Sequence, residues 1–355
     1  MKRLQFGLVM MAAVASSLWV LAEQAPPAPT ATTPVAGQAP GRPGGPGGPA
    51  GPGGPAAPAA AGRQGGGGRG GRGARPRKVL LAWADTRNGQ AQHDFTSHAL
   101  AIVERLGYES GLWDTYIRTD SNIIYNTALK TDGTNASGGP SLSNVDGIFF
   151  LGHREIEFNA QQKKELLDFV RNGHGFVAAH TGLTAFDSWP EFADMLGAGY
   201  EGHLYTGPGQ VINEQPDNPI VKHWGAAFTY TDEFYKPKGF SREKSNVLLR
   251  FNGASAPTSG LAGDGDFPLV WTKMYGTGRV FYSSLSHDTT SWDIRNLQIM
   301  MFEAIKWSLG LSETPVTPHA MTAAPPPSPA GGPGATPGGR GGPGARGGPP
   351  AGGGN

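Results

Sequence analysis

The chain has 355 residues and a formal net charge of +1, with 56 glycines, 31 prolines, nine histidines and no cysteine. The near-neutral charge argues against a nucleic-acid-binding surface, and the absence of cysteine excludes thiol nucleophiles, thiolate metal ligands and disulfides. We therefore expect any chemistry to depend on imidazole and carboxylate groups.

The first 22 residues have the pattern of an export signal. Lys2 and Arg3 precede an apolar stretch, 6–20, and Ala22 is a small residue at the predicted cleavage position. The stretch is shorter than the roughly 20 residues that a transmembrane helix needs. We interpret it as a cleaved signal rather than a membrane anchor. The prediction is an exported protein, periplasmic or extracellular, with no stable membrane span after cleavage.

Two low-complexity segments flank the central part of the chain. Residues 23–77 are rich in Pro, Ala, Gly and Arg, and residues 314–355 are rich in Pro and Gly. Such sequences bury too little apolar surface to offset the entropy of ordering them, so we expect both to be disordered. Their Arg-Gly runs resemble RNA-binding segments, but they contain no aromatic residues on which bases could stack. We interpret them as flexible spacers around one folded domain, 78–313.

The first half of this domain alternates predicted strands and helices. Continuous apolar runs predict strands at 78–84, 108–113, 145–151 and 175–180. Helical spacing predicts helices at 96–106, ending at Gly107, and at 160–171, capped by Asn159. Residues 120–144 are polar and predict a long loop. The alternation is typical of a parallel sheet with right-handed crossovers.

The second half is richer in strands. Apolar runs predict strands at 247–251, 269–273 and 279–285, and a closing helix at 296–309. The turn 276–278, between the last two strands, is typical of a hairpin.

Polar side chains follow the predicted strands at the point where each one ends. They are Asp85 and His93 after the first strand, His153 after the third, His180 and Thr181 after the fourth, and His287 and Asp288 after the last. Because the carboxyl ends of parallel strands meet at one edge of a sheet, we expect these side chains to share one crevice.

Further polar residues come from the segments between the predicted elements. His203 follows a glycine-rich stretch, and Asp232 and Glu233 precede Phe234 and Tyr235. Adjacent side chains on a strand point to opposite faces, so we expect only one of the two carboxylates to enter the crevice. The aromatic rings suit the apolar face of a sugar, although they suit a protein core equally well.

The sequence contains no local metal-binding motif such as HxH or HExxH, and neither GxGxxG nor a P-loop. A divalent metal would have to be held by His, Asp and Glu from distant segments, and this alternative stays open. His180 occupies the strand-to-turn position where other α/β enzymes carry a nucleophile. Imidazole is better suited to acid-base catalysis or ligand binding.

An ordered series of motifs resembles the ThuA-like (trehalose-utilisation) family. The motifs are 173–182, 192–197 leading into His203, Asn218-Pro219-Ile220, 232–235 and 278–287, and the resemblance covers nearly all of 78–311. One position departs from the family pattern: Ser286 stands before His287, where the family commonly has glycine. This departure bears on the local backbone rather than on the imidazole.

The resemblance implies an α/β, flavodoxin-like open parallel sheet sandwiched between helices, as in class I glutamine amidotransferases. It also implies that amidotransferase activity is lost, since His180 corresponds to the nucleophilic cysteine. The family is linked to disaccharide and keto-sugar metabolism. The residues that carry over from its polar motifs are His180, His203, Glu233 and His287, with His93 as a further position.

We therefore expect an exported, carbohydrate-active enzyme that acts on a disaccharide-derived or keto-sugar substrate, as an isomerase, lyase or hydrolase. The predicted catalytic residues are His180, His203, Glu233 and His287, and the predicted substrate-binding residues are His93, His153, Thr181, Asp232, Tyr235 and Asp288. A non-catalytic carbohydrate-binding envelope protein and a structural envelope protein remain alternatives. An open-edged sheet also leaves a homodimer open.

Overall fold

The computed structural model describes residues 76–323, except for 87–92, 131, 137, 140, 257–258 and 262–264. The predicted signal, 1–22, and the remainder of both tails, 23–75 and 324–355, lie outside the described residues.

One sheet of nine strands runs through the described part of the chain. In chain order the strands are β1 (Lys78–Trp83), β2 (Trp113–Arg118), β3 (Gly147–Phe150), β4 (Gly175–Ala179), β5 (Gly199–Asn213), β6 (Ala227–Lys238), β7 (Asn246–Phe251), β8 (Pro268–Tyr275) and β9 (Gly278–Ser283). Their order across the sheet is β2-β1-β3-β4-β9-β8-β7-β5-β6.

Within the described ranges, four α-helices cover the two faces of the sheet. They are α1 (Thr96–Ser110), α2 (Ala160–Arg171), α3 (Pro190–Leu196) and α4 (Arg295–Ser308). Buried residues of α1 and α4 belong to one apolar cluster, and those of α2 and α3 belong to the other. The strands between the two clusters are buried on both faces, which explains their continuous apolar sequences. The predicted α/β fold with a sheet between helices is confirmed.

The parallel part of the sheet comprises β2, β1, β3, β4 and β9. Helix α1 connects β1 to β2, and α2 connects β3 to β4. Helix α2 begins at the predicted cap: the Asn159 side chain accepts the Gln162 backbone N–H, and the Gln162 side chain accepts that of Asn159. This reciprocal capping box explains why sequence located the helix correctly.

The antiparallel part continues from β9 through β8, β7 and β5 to β6. The predicted hairpin between β8 and β9 is confirmed, and Gly276 in its turn has φ 62°. Strands β5 and β6 were not predicted, because β5 contains Pro208 and several glycines, which are typical of loops. The long pairing between these two strands overrides that local preference.

The predicted helix stop at Gly107 is wrong. Helix α1 continues to Ser110 and ends at Gly111, which has φ 67°, and β2 begins only at Trp113. Gly107 instead allows the Trp113 indole to pack against the helix, since a Cβ there would lie 2.4 Å from its Nε1. Tyr108, predicted to begin the strand, is 70% exposed on the helix.

Residues 314–323, assigned to the disordered tail from composition, pack against β7 and its neighbours. Thr314 donates to Asn218 Oδ1 at 2.7 Å, His319 Nε2 lies 2.9 Å from Val247 O, and Arg250 donates to Thr322 O at 3.1 Å. Buried polar groups of the sheet thus obtain partners from this segment, so the ordered part extends beyond the predicted boundary at residue 313.

Among the described residues, no helix combines the length and apolar character that a membrane crossing requires.

Candidate functional site

Histidines from four strand ends meet at the carboxyl edge of the parallel strands. His93 follows β1, His153 follows β3, His180 follows β4 and His287 follows β9. The His93 ring centroid lies 5.0 Å from those of His153 and His287 and 5.5 Å from that of His180. The structure brings these predicted residues together in one group.

His180 forms the floor of this group and is fully buried. Its φ of 37° lies in the left-handed region, which non-glycine residues rarely occupy. Its Nδ1 lies 2.8 Å from Ser284 O. Because a carbonyl oxygen can only accept, Nδ1 carries the hydrogen, and a neutral His180 turns the lone pair of Nε2 towards the other polar groups.

The β5–β6 hairpin delivers the remaining polar groups. His203 pairs in register with Tyr235. Shifts in the strand register on either side of His203 change the direction in which the β5 side chains point. Glu233 enters the cavity, whereas the neighbouring Asp232 points to the other side of β6 and is 3% exposed. The alternation that predicts only one entering carboxylate therefore distinguishes these two residues.

Glu233 lies at the centre of the imidazole group. One of its oxygens, Oε2, is 3.4 Å from His180 Nε2 and 3.1 Å from His287 Nδ1. The other, Oε1, is 3.1 Å from His203 Nε2. His287 Nδ1 also lies 3.1 Å from His180 Nε2. Lone pairs of a carboxylate and an imidazole thus face a shared space in which a proton or a cation would be favourable.

Asp232 connects the two segments that carry Glu233 and His287. Its carboxylate accepts the backbone N–H groups of Ser286 at 2.7 Å, His287 at 3.0 Å and Glu233 at 2.9 Å. Ser286 has φ 111°, a conformation that favours glycine, so the family's usual glycine at this position has a backbone cause. Asp232 does not line the cavity, and it fixes the backbone of residues that do.

The surroundings shift the pKa values of several groups at this site. A hydrogen bond from His180, which Nε2 can donate only when the imidazole is protonated, is the main cause that lowers the pKa of Glu233 to about 2. Burial lowers the pKa of His93 to about 4, with a further contribution from His180 and the other neighbouring imidazoles. Burial also lowers the pKa of His180, and it raises the pKa of Asp232 to about 7 against the effect of its hydrogen bonds.

Four of these residues fit a divalent metal ion: His93, His180, Glu233 and His287. Each offers one ligand atom, and the ligand atoms all lie within 4.8 Å of one another. Neutral imidazoles and a carboxylate suit zinc and other first-row metals, whose bonds to nitrogen measure about 2.0–2.1 Å for zinc. The hydrogen bond from His180 Nδ1 to a backbone carbonyl is the outer contact that metal-bound histidines commonly make.

A polar cavity of about 900 Å³ opens above this group. Of the predicted site residues, His93, His153, His203, Glu233, Tyr235, His287 and Asp288 line it. Thr181 does not line it and is 1% exposed, next to His180. The Tyr235 ring packs against the His180 ring, with centroids 4.0 Å apart.

Sequence reasoning missed several residues of the cavity wall. They are Asp94, Arg154, Glu155, Thr184, Asp187, Tyr200 and Thr289. Arg154 directly follows the predicted His153 and has φ 59°, and Tyr200 opens the unpredicted strand β5. Arg154 and Thr289 could have been found from the sequence, since they directly follow His153 and Asp288. Tyr200 and Asp187 could not, because their positions depend on the paths of β5 and α3.

Comparisons with known proteins agree with this architecture. The sequence model of the ThuA family, described as trehalose utilisation, matches residues 78–308. A ThuA-like protein from Bacteroides uniformis superposes with TM-score 0.54 at 20% identity, covering 68% of this chain and 95% of that one. A ThuA-like protein from Parabacteroides merdae gives 0.51 at 18% identity, with 66% and 90% covered. No curated protein matches the sequence.

Proposed function

We propose that this chain, which belongs to the ThuA (trehalose utilisation) family, is an enzyme that acts on a disaccharide-derived or keto-sugar substrate. The observation that carries the proposal is the convergence of Glu233 with His180, His203 and His287 beneath an open polar cavity. A carboxylate and a buried imidazole with shifted pKa values at an accessible cavity are typical of functional sites.

The cavity is of the right size and chemistry for a sugar. Its volume of about 900 Å³ lies in the upper part of the range that small-molecule sites occupy. Carboxylates of Asp94, Glu155 and Asp187 line its wall and can accept hydrogen bonds from hydroxyl groups. The ring of Tyr200 offers an apolar surface against which a sugar ring can pack.

A keto-sugar substrate fits the acid-base groups. A carbonyl on the ring acidifies the neighbouring C–H bond, and removal of that proton starts both isomerisation and elimination reactions of such sugars. His203 is exposed to the cavity and its Nε2 lies 3.1 Å from Glu233 Oε1, so it is the imidazole best placed to carry a proton to and from substrate.

A divalent metal is the second part of the proposal. His93, His180, Glu233 and His287 would hold it, and a bound ion would supply a Lewis acid that polarises the carbonyl oxygen. His180 keeps its Nε2 lone pair directed at this place through its bond to Ser284 O. Asp232 fixes the backbone of Glu233 and His287 through its three N–H contacts.

Amidotransferase chemistry is not part of the proposal. Class I glutamine amidotransferases need a cysteine thiolate, and the chain has no cysteine. His180 holds the strained strand-to-turn position instead, with φ 37°. Export through the predicted signal, 1–22, belongs to the proposal, and detection of the mature protein outside the cytoplasm would test it.

The function is tested with the purified chain, metal analysis and a panel of keto-sugars followed by NMR. Wild type should carry about one equivalent of metal and convert at least one keto-sugar. Glu233→Gln should lose the metal and lower kcat about 10²–10⁴-fold. His203→Gln should keep the metal and lose turnover.

His98 provides the matched control. It lies on α1 and contacts Asp293 at 2.9 Å, and it does not line the cavity. His98→Gln should therefore retain both metal and turnover. If wild type binds sugars but does not convert them, with or without added metal, the protein is a carbohydrate-binding protein and not an enzyme. An unaltered metal content in Glu233→Gln would reject the ligand set.

A further inference from the structure

A second cavity, of about 340 Å³, lies beside the first. Asp187 and Tyr200 line both cavities, so a thin wall made of these two side chains separates them. A molecule held against Tyr200 in the first cavity lies next to the second. The second cavity is therefore placed to contact the part of a substrate that does not react.

Three lysines define the polar side of this second cavity. Lys238 stands exposed at the end of β6, Lys244 is exposed on the loop that follows, and Lys273 comes from β8. The Lys273 side chain is only 7% exposed. Ammonium groups from separate parts of the sheet thus converge on one small space.

The carboxylates around the second cavity do not balance these ammonium groups. The Asp194 carboxylate is shared by two lysines: its Oδ1 lies 3.7 Å from Lys244 Nζ and 3.6 Å from Lys273 Nζ. Both distances exceed those of a direct charge-assisted hydrogen bond, about 2.7–2.9 Å. With Asp187 as the other acidic lining residue, three cations face two carboxylates, and a bound anion would complete the charge balance.

Burial of Lys273 explains why an anion would bind favourably in this cavity. Its ammonium donates to the backbone carbonyl of Asp194, and its pKa is lowered by burial. A charged group that is almost enclosed gains from an additional counter-ion, because the surrounding medium screens the attraction weakly. Leu183, Ala185, Phe186, Phe192 and Ala198 give the cavity an apolar side. It suits a carbon skeleton that carries one anionic group.

We infer that the second cavity is a subsite for an oxyanion, a carboxylate or a phosphate, on the non-reacting part of the substrate. The inference rests on the proposed function, since it takes the first cavity to hold the reacting sugar. It narrows the substrate class from neutral disaccharides to sugars linked to an acidic unit, such as a uronate or a sugar phosphate. Lys238 and Lys244 then act as specificity-determining residues, and Lys273 as the enclosed anchor.

The test measures binding of three probes to the full chain by isothermal titration calorimetry: glucuronate, glucose 6-phosphate and glucose. The two acidic probes should bind, and glucose should bind at least about tenfold more weakly. The double variant Lys238→Gln/Lys244→Gln should weaken the acidic probes about tenfold and leave glucose unchanged. A preference between glucuronate and glucose 6-phosphate identifies the source of the oxyanion.

Lys236→Gln is the matched control, because Lys236 lies on β6 two residues from Lys238, pairs with Glu201 at 2.6 Å and does not line the second cavity. It should bind all three probes as wild type does. Lys273→Met should also lose the acidic probes. If it fails to fold, the double variant alone decides.

Equal binding of glucose and the acidic probes by wild type would overturn the inference, as would equal loss in Lys236→Gln and the double variant. Probe binding is measured without turnover, so the affinities of the lysine variants test this inference separately from the catalytic groups of the first cavity. Failure of every keto-sugar in the turnover assay rejects the proposed function and leaves anion binding measurable.

Discussion

Two carboxylates in the antiparallel half of the sheet have opposite surroundings. Glu214 follows β5, and its fully buried side chain pairs with Arg242 at 2.7 Å and Arg250 at 3.0 Å. The Thr322 backbone N–H donates to it at 3.2 Å. Glu233 lies on β6 with 17% of its side chain exposed, and its neighbours are imidazoles.

The difference separates a charge that holds the fold from a charge that is open to a ligand. Guanidinium groups stay charged at every working pH, so the partners of Glu214 are permanent. Imidazoles can be neutral, and here burial favours the neutral forms of His93 and His180. The charge of Glu233 thus remains available to an exchangeable cation at an open surface.

The largest expected effect comes from removing the Glu214 carboxylate from its two arginine partners. Glu214→Ala should lower the free energy of unfolding by about 3–5 kcal/mol, because Arg250 remains buried without its partner. Urea denaturation measures this change. Glu233→Ala should cost clearly less stability. Glu313→Ala serves as a control, since its carboxylate is largely exposed in its pair with Arg279. Similar stability losses in Glu214→Ala and Glu233→Ala would remove the distinction.

The next largest effect concerns Asp232, which fixes the backbone of Glu233 and His287. Asp232→Asn replaces one accepting oxygen with an NH₂ group, which cannot accept an N–H group, so either the Ser286 contact at Oδ2 or the His287 and Glu233 contacts at Oδ1 are lost. Metal affinity and kcat should each fall about 10–100-fold, the effect of losing an outer contact of a metal site. Metal titration and steady-state kinetics measure the two losses. A normal metal affinity would show that this carboxylate does not position the ligands.

The pH dependence of stability should report the neutral imidazoles. The pKa of His93 is lowered from 6.5 to about 4, so between these values the unfolded chain binds more protons than the folded one. Stability of the metal-free protein should therefore fall as the pH drops from 6.5 to about 4. Denaturation at several pH values should show a shallower slope for His93→Asn. An unchanged slope would assign the proton uptake to other groups.

The smallest effect concerns the backbone before His287. Ser286→Gly removes a side chain from a residue with φ 111° and deletes a buried hydroxyl that has no hydrogen-bond partner among the described residues. Stability should rise by about 1 kcal/mol, with kcat unchanged. Ser284→Gly should have the opposite sign, because the Ser284 hydroxyl accepts the Tyr235 N–H at 2.9 Å. Thermal denaturation compares the two variants.

Local signals in the sequence predicted much of the parallel half. The run at 78–84 and the Asn159 cap gave a strand and a helix close to their final bounds, because burial on two faces and capping act within a few residues. The Gly107 stop was wrong because the glycine makes room for Trp113, which a helix-stop rule does not consider. The segment 314–323 escaped prediction because its partners on β7 are distant in sequence.

By itself, the sequence determined the chemistry available to this protein and the strand ends at which to seek it. A chain without cysteine has imidazoles and carboxylates, and a parallel sheet collects them at one edge. Only the tertiary structure decided which carboxylate enters, since the β5–β6 pairing turns Glu233 towards the imidazoles and Asp232 towards the backbone of the neighbouring turn. The second cavity could likewise not be predicted from the sequence, because it forms where β6, β8 and the loop after β6 meet.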